Sequence, residues 1–133
     1  IGSVLVGNSD IMSNAIRIRK IFGGGMRQVG YLAAAGLYAL DNNIDRLSQD
    51  HLRAKEIGVV LQSLSSIKKV EPIETNIIIF ELESHVNESS FVNTLKENHI
   101  QIIGMGNNKL RMVTHLDYTD SMHDKLLSFL KAL

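Results

Sequence analysis

The chain has no cysteine and no tryptophan, only one proline, and no excess of charge of either sign. The missing cysteine excludes disulfides, thiolate catalysis and cysteine-ligated metal, and it fits a reducing compartment, so a cytoplasmic location is the expectation. Lys plus Arg and Asp plus Glu balance at 14 each, so no polybasic surface points to nucleic acid. No apolar run approaches membrane-spanning length, and no basic-then-apolar leader opens the chain. What is abundant is Ile, Leu and Ala over 133 residues, which implies a helix-rich α/β protein of modest size.

The chain starts with Ile1 rather than Met and enters an apolar run at once, Gly2-Ser3-Val4-Leu5-Val6. That run reads as a short buried strand over 2–6. A strand so short needs neighbours, so the chain is expected to be the C-terminal part of a longer protein. Asn8-Ser9-Asp10 offers caps for a helix running to about Phe22. Three consecutive glycines, Gly23-Gly24-Gly25, follow, with Lys20 ahead and Arg27 behind. Glycine loses the most backbone freedom on folding, so a run of it marks a sharp turn or a close approach. Two readings stand open. One is an anion site, made from the amides of a new helix with Lys20 and Arg27. The other is a glycine cap that ends the first helix.

From Arg27 to about Leu40 the pattern is helical and nearly free of charge, as in a helix buried on several sides by other domains or by a second subunit. After Asp41-Asn42-Asn43 a long amphipathic helix runs from Ile44 to Leu64, ending near Ser65-Ser66. A boundary in its first half divides the chain into 1–50, the end of a larger domain with interface helices, and 51–133, a small α/β domain. In the latter, 76–82, 100–103 and 109–114 read as strands. Ser89 to Asn98 and Thr119 to Leu133 read as helices, the last with Met122, Leu126, Phe129 and Leu130 on one face. The order β-α-β-β-α implies a small antiparallel sheet covered by helices.

Arg111 stands between Leu110 and Met112 in a strand. If those two face the core, Arg111 faces the other way with Lys109 and Val113. It is then either a carboxylate clamp or a solvated arginine on an open face. None of the five histidines has the spacing of a helical metal site, so no metal is expected. His115 falls four residues beyond Arg111. His51 reads as packed or capping, and His85, His99 and His123 as loop or surface residues. Asn76 reads as bonding neighbouring backbone. No defensible pair of catalytic carboxylates is present.

Taken in order, Gly2-Ser3-Val4-Leu5-Val6-Gly7, Arg19-Lys20, Gly23-Gly24-Gly25-Met26-Arg27-Gln28, Leu32-Ala33-Ala34-Ala35-Gly36, Asp50-His51, Thr75-Asn76 and Leu110-Arg111-Met112-Val113-Thr114-His115-Leu116-Asp117 resemble the C-terminal part of the low-specificity L-threonine aldolases. The resemblance spans essentially the whole chain. It implies the fold of the aspartate-aminotransferase type and pyridoxal 5'-phosphate as cofactor. It also implies retro-aldol cleavage of threonine or allo-threonine to glycine and acetaldehyde. Arg111 matches the arginine that grips the substrate carboxylate. Lys20 and Arg27 match basic residues near the cofactor end of the site. The imine-forming lysine of that family lies just before the segment matching Gly2-Ser3, and is therefore expected upstream of Ile1. No catalytic residue is then expected within this chain, and the chain alone is expected to be inactive. Its expected partners are the N-terminal part of the same enzyme and further copies in a homo-oligomer. A non-catalytic assembly module, or a fragment of another lyase of the same fold type, is the alternative. On its own the chain should expose the helix around Leu32–Leu40 and the run Val4–Val6.

Overall fold

The computed structural model describes residues 3–133, which divide between Asp45 and Arg46 into two compact units. Ile1 and Gly2 lie outside the described residues. The expectation of an imine lysine upstream of Ile1 therefore concerns a stretch on which the described structure does not bear.

The first unit holds two helices, α1 (Ser9–Ile21) and α2 (Gly30–Asn42). Asp10 lies in the first turn of α1 and Arg19 and Lys20 in its last, each complementing the helix dipole. The strand expected over 2–6 does not form across its described part: Ser3–Val6 are irregular, and Val4 is 89% exposed. The physical reason is the lack of a ladder partner, because no strand occurs among the described residues of this unit. Helix α2 begins at Gly30, later than the expected Arg27. Gln28, just before it, adopts a left-handed conformation at φ 56°, which a helix interior does not accept. Neither helix buries a residue in this chain, and Tyr31 is 94% exposed. An apolar helix with an uncovered surface is what the charge-free pattern of α2 implies for the chain on its own.

The second unit runs α3 (Leu47–Gln62), β1 (Ile67–Val70), β2 (Ile77–Leu82), α4 (Glu88–Glu97), β3 (Ile103–Gly106), β4 (Lys109–Val113) and α5 (Asp120–Leu130). The strands form one antiparallel sheet in the order β1-β2-β4-β3. Ile78, Phe80 and Leu82 of β2 and Leu110 and Met112 of β4 alternate onto one face. Against them pack Ala54, Ile57 and Leu61 of α3, Phe91 and Leu95 of α4, and Leu126 and Leu130 of α5. Each large apolar side chain among these contributes about 1.5–3 kcal/mol on leaving water. Phe80 and Phe91 meet edge to face with ring centroids 6.3 Å apart. Side-chain caps start two of the helices: Asn87 Oδ1 accepts from the Ser90 N–H at 2.9 Å, and Thr119 Oγ1 from the Met122 N–H at 3.3 Å. The expected small antiparallel sheet with its helical cover is therefore present, with the helices on one face.

Strand β1 adds to the expected set. Its sequence, Ile67-Lys68-Lys69-Val70, carries little apolar signal because it is an edge strand, and edge lysines discourage further pairing. The strand expected at 100–103 instead spans Ile103–Gly106. The β3–β4 turn is Asn107-Asn108, with φ of 54° and 60°. Two successive left-handed residues form a hairpin turn whose twist matches that of the strands.

Candidate functional site

Arg111 lies on the sheet face that α3, α4 and α5 leave uncovered. The register sets it opposite Ile79 of β2 on one side and Ile103 of β3 on the other. Its Nε is buried and has no hydrogen-bond partner. A buried donor left unpaired costs roughly 1–3 kcal/mol, and more when charged. The guanidinium thus retains a fork-like capacity for one planar anion.

The end of β4 is anchored by groups that the sequence pattern showed only as separate pieces. Thr114 is 2% exposed, and its hydroxyl donates to the Asp50 carbonyl at 2.8 Å. Asn76 Nδ2 donates to the Thr114 carbonyl at 2.7 Å, and the Thr114 N–H returns a bond to the Asn76 carbonyl at 3.0 Å. Asn76 therefore bonds backbone, but that of Thr114 at the end of the adjacent strand, 38 residues on, rather than that of its own turn. The buried Asp50 carboxylate pairs with Arg46 at 2.6 Å. Together these bonds tie the start of α3 to the ends of β2 and β4. The turn at the other end of β4 is held by Glu88, whose Oε2 accepts from the Asn108 N–H at 3.2 Å.

His123 corrects the surface assignment. It is 7% exposed, bonded to Glu56 Oε2 at 2.7 Å and to the Tyr118 hydroxyl at 3.1 Å. It takes the inward position on α5, while its neighbour Met122 points out. The signal lies in its spacing: His123, Leu126 and Leu130 fall on one helical stripe. Arg53, which the sequence pattern did not single out, joins the same cluster. It donates to the Tyr118 carbonyl at 2.5 Å, pairs with Asp120, and lies 5.8 Å from the Tyr118 ring centroid. Burial pushes the Tyr118 phenol up to about 12, with Arg53 opposing the shift.

In the first unit the glycine run closes α1. Gly23 has φ 81°, its N–H bonds the Lys20 carbonyl at 3.2 Å, and the Gly24 N–H bonds the Arg19 carbonyl at 2.8 Å. This paired pattern is the Schellman cap. A Cβ on Gly24 would lie 3.1 Å from the Arg19 carbonyl oxygen. Of the two readings of the glycines, the cap is the one seen, and the next helix begins only at Gly30. The side chains of Lys20 and Arg27 remain exposed, with no hydrogen bond or ion pair among the described residues. His115 lies beyond the end of β4, largely exposed, its Nδ1 accepting from the Asp117 N–H at 3.2 Å.

The family model described as beta-eliminating lyase matches residues 1–85. The chain is 36% identical to the low-specificity L-threonine aldolase 1 of Arabidopsis thaliana, over 100% of this chain and 38% of that protein. It is 41% identical to the low specificity L-threonine aldolase of Escherichia coli K12, over 88% of this chain and 34% of that protein. The chain thus spans about a third of the length of these curated relatives. Among solved structures it shares a fold with the cystine C–S lyase C-DES, at TM-score 0.59 and 19% identity, over 77% of this chain and 28% of that one. A match across more than half its length, running from the first unit into the second, makes the chain a member of the beta-eliminating lyase family.

Proposed function

We propose that this chain is the C-terminal part of a pyridoxal-phosphate-dependent aldolase that cleaves L-threonine or L-allo-threonine to glycine and acetaldehyde. The observation that carries the reading is Arg111, an arginine on an open sheet face with a buried, unpartnered Nε. An amino-acid carboxylate is planar, anionic and bidentate, which suits that donor. Held there, the substrate has a fixed orientation about its Cα, which is the geometric control that bond cleavage needs. The relatives named as threonine aldolases support the choice of substrate.

Lys20 and Arg27 are the residues of this chain that we assign to the cofactor's phosphate. Two exposed, unpaired cations fit a dianion by charge, while the amides of Gly23 and Gly24 between them are already committed to the cap of α1. The cofactor, when bound, supplies the electron sink for breaking the carbon–carbon bond. The lysine that carries it belongs to a part of the enzyme upstream of Ile1, so activity requires that part. Residues up to about 50 would complete the cofactor-binding domain, and the rest would form the small domain. The uncovered apolar surface of α2 supports burial against the remainder of the enzyme and further copies in a homo-oligomer. No helix among the described residues is long and apolar enough to cross a membrane. The cysteine-free sequence suits the cytoplasm.

The test is acetaldehyde release from threonine and allo-threonine by the intact parent enzyme, with and without Arg111→Lys. Lysine keeps the charge and loses the fork, so KM for the amino acid should rise about tenfold or more, the scale of one charge-assisted bond. An intact protein that releases no acetaldehyde, or an unchanged KM in the variant, would sink the assignment.

A further inference from the structure

We propose that a cavity of the second unit, between the end of α4, β4 and α5, binds a small organic anion with an apolar body, such as an aryl or branched aliphatic carboxylate. The cavity measures about 380 Å³, within the range of small-molecule pockets. Its floor is apolar, made by Ile57, Met112 and Leu126. Met112 leaves β4 on the face opposite Arg111, so the floor does not belong to the open sheet face.

Lys125 carries the one fixed charge among the lining residues, and the Asp117 carboxylate comes within 3.9 Å of His115 Nδ1 beside it. His99, His115 and Lys125 line the cavity, and neither aspartate nor glutamate does. The Lys125 side chain makes no hydrogen bond or ion pair among the described residues. The His115 Nδ1 accepts from the Asp117 N–H, so the ring proton of the neutral form resides on Nε2, leaving that N–H free to donate.

His99 supplies an independent observation. Its N–H bonds the Lys96 carbonyl at 2.9 Å, and the Ile100 N–H bonds the Leu95 carbonyl at 2.9 Å, the cap pattern that favours glycine. His99 nonetheless holds φ 62° there. A side chain is kept at a backbone position where none is easier, and it stands on the rim of the cavity. Strain of this kind concentrates where a side chain has a task. The three groups together offer an ammonium and two imidazole N–H donors above an apolar floor, the complement of a carboxylate on a hydrophobic body. The site goes beyond the aldolase reading and does not depend on it.

Isothermal titration calorimetry of the intact parent enzyme with phenylacetate, and with the neutral phenylacetamide, tests the site. Phenylacetate should bind once per chain and about tenfold tighter than the amide. Lys125→Glu should weaken phenylacetate about tenfold or more without changing amino-acid turnover. His99→Gly should raise the melting temperature, because glycine relaxes the cap, yet weaken phenylacetate. Those opposite signs are not expected of a residue that only ends a helix. Absence of saturable binding to the unsubstituted enzyme overturns the proposal, as does equal affinity for the amide. Binding that survives Lys125→Glu but is lost in Arg111→Lys overturns it too, since the carboxylate would then be seated on Arg111.

Discussion

The Thr114 hydroxyl and the Asp50 carbonyl meet at 2.8 Å across 64 residues of sequence, inside the protein. Removing the hydroxyl while keeping the shape deletes this second bond to a carbonyl that still closes the helical turn of α3. Thr114→Val should therefore destabilise the protein by about 0.5–1.5 kcal/mol, and Thr114→Ser by much less. Urea unfolding of the three proteins decides the point; equal midpoints for threonine and valine would contradict it.

Two glycines should respond differently to alanine. Gly23 holds φ 81° in the cap of α1, and a side chain in that conformation costs about 1–2 kcal/mol. Gly36 lies within α2, where an added Cβ would meet open space, and alanine there would add up to about 1 kcal/mol of helix stability if the surface stays uncovered. If α2 packs closely in the intact enzyme, the added methyl obstructs it instead. Gly36→Ala should thus loosen the assembled enzyme, seen as a shift to smaller species in analytical ultracentrifugation. An unchanged assembly with a higher melting temperature would show that α2 stays open.

Tyr118 sets a pH dependence. Its folded value of about 12 lies above the ordinary 10.0 because burial disfavours the phenolate. The unfolded chain ionises first, so its contribution to stability is fully present below pH 10 and is lost as pH rises toward 12. Tyr118→Phe should flatten the stability profile over that interval. Ultraviolet titration should show one of the 3 tyrosines ionising later than the rest. Coincident titration of all of them would remove the physical basis.

The Lys68–Glu81 pair, at 2.6 Å, is exposed. Its hydrogen bond raises the lysine and lowers the carboxyl. The Glu81 contribution is present above the usual carboxylate range and lost as pH falls through the lowered value. Surface pairs of this kind are screened and worth little. Lys68→Ala should leave the unfolding midpoint nearly unmoved at physiological salt, and a large drop would show that the β1 edge depends on it.

Helices and central strands are legible in the sequence because their residues obey one period. Ile77–Leu82 and Lys109–Val113 read as strands from apolar content and alternation, and the same alternation turns Arg111 away from Leu110 and Met112. The failures have a common cause: neighbours that periodicity cannot see. Ile67–Val70 becomes a strand because β2 offers it a ladder, and Gly104 and Gly106, poor strand formers, pair because β4 does. Ser3–Val6 look like a strand and have no ladder to join among the described residues. His123 is polar, which points to the outside, yet Glu56 and Tyr118 satisfy both ring nitrogens within the fold. The Asp50–Thr114–Asn76 anchor is visible in the sequence only as three separate pieces.

The strand order has a consequence for how the second unit forms. β4 lies inside the sheet between β2 and β3, although it is the last strand in the chain. During synthesis, β2 must wait for β4 with one side bare, while α4 and β3 emerge between them. The β2–β4 pairing is distant in sequence, which slows folding. A ribosome stalled before Lys109, or a nonsense codon there, would leave an apolar edge at Ile77–Leu82 open to other chains. Such products should be captured by chaperones or aggregate rather than accumulate as smaller folded domains.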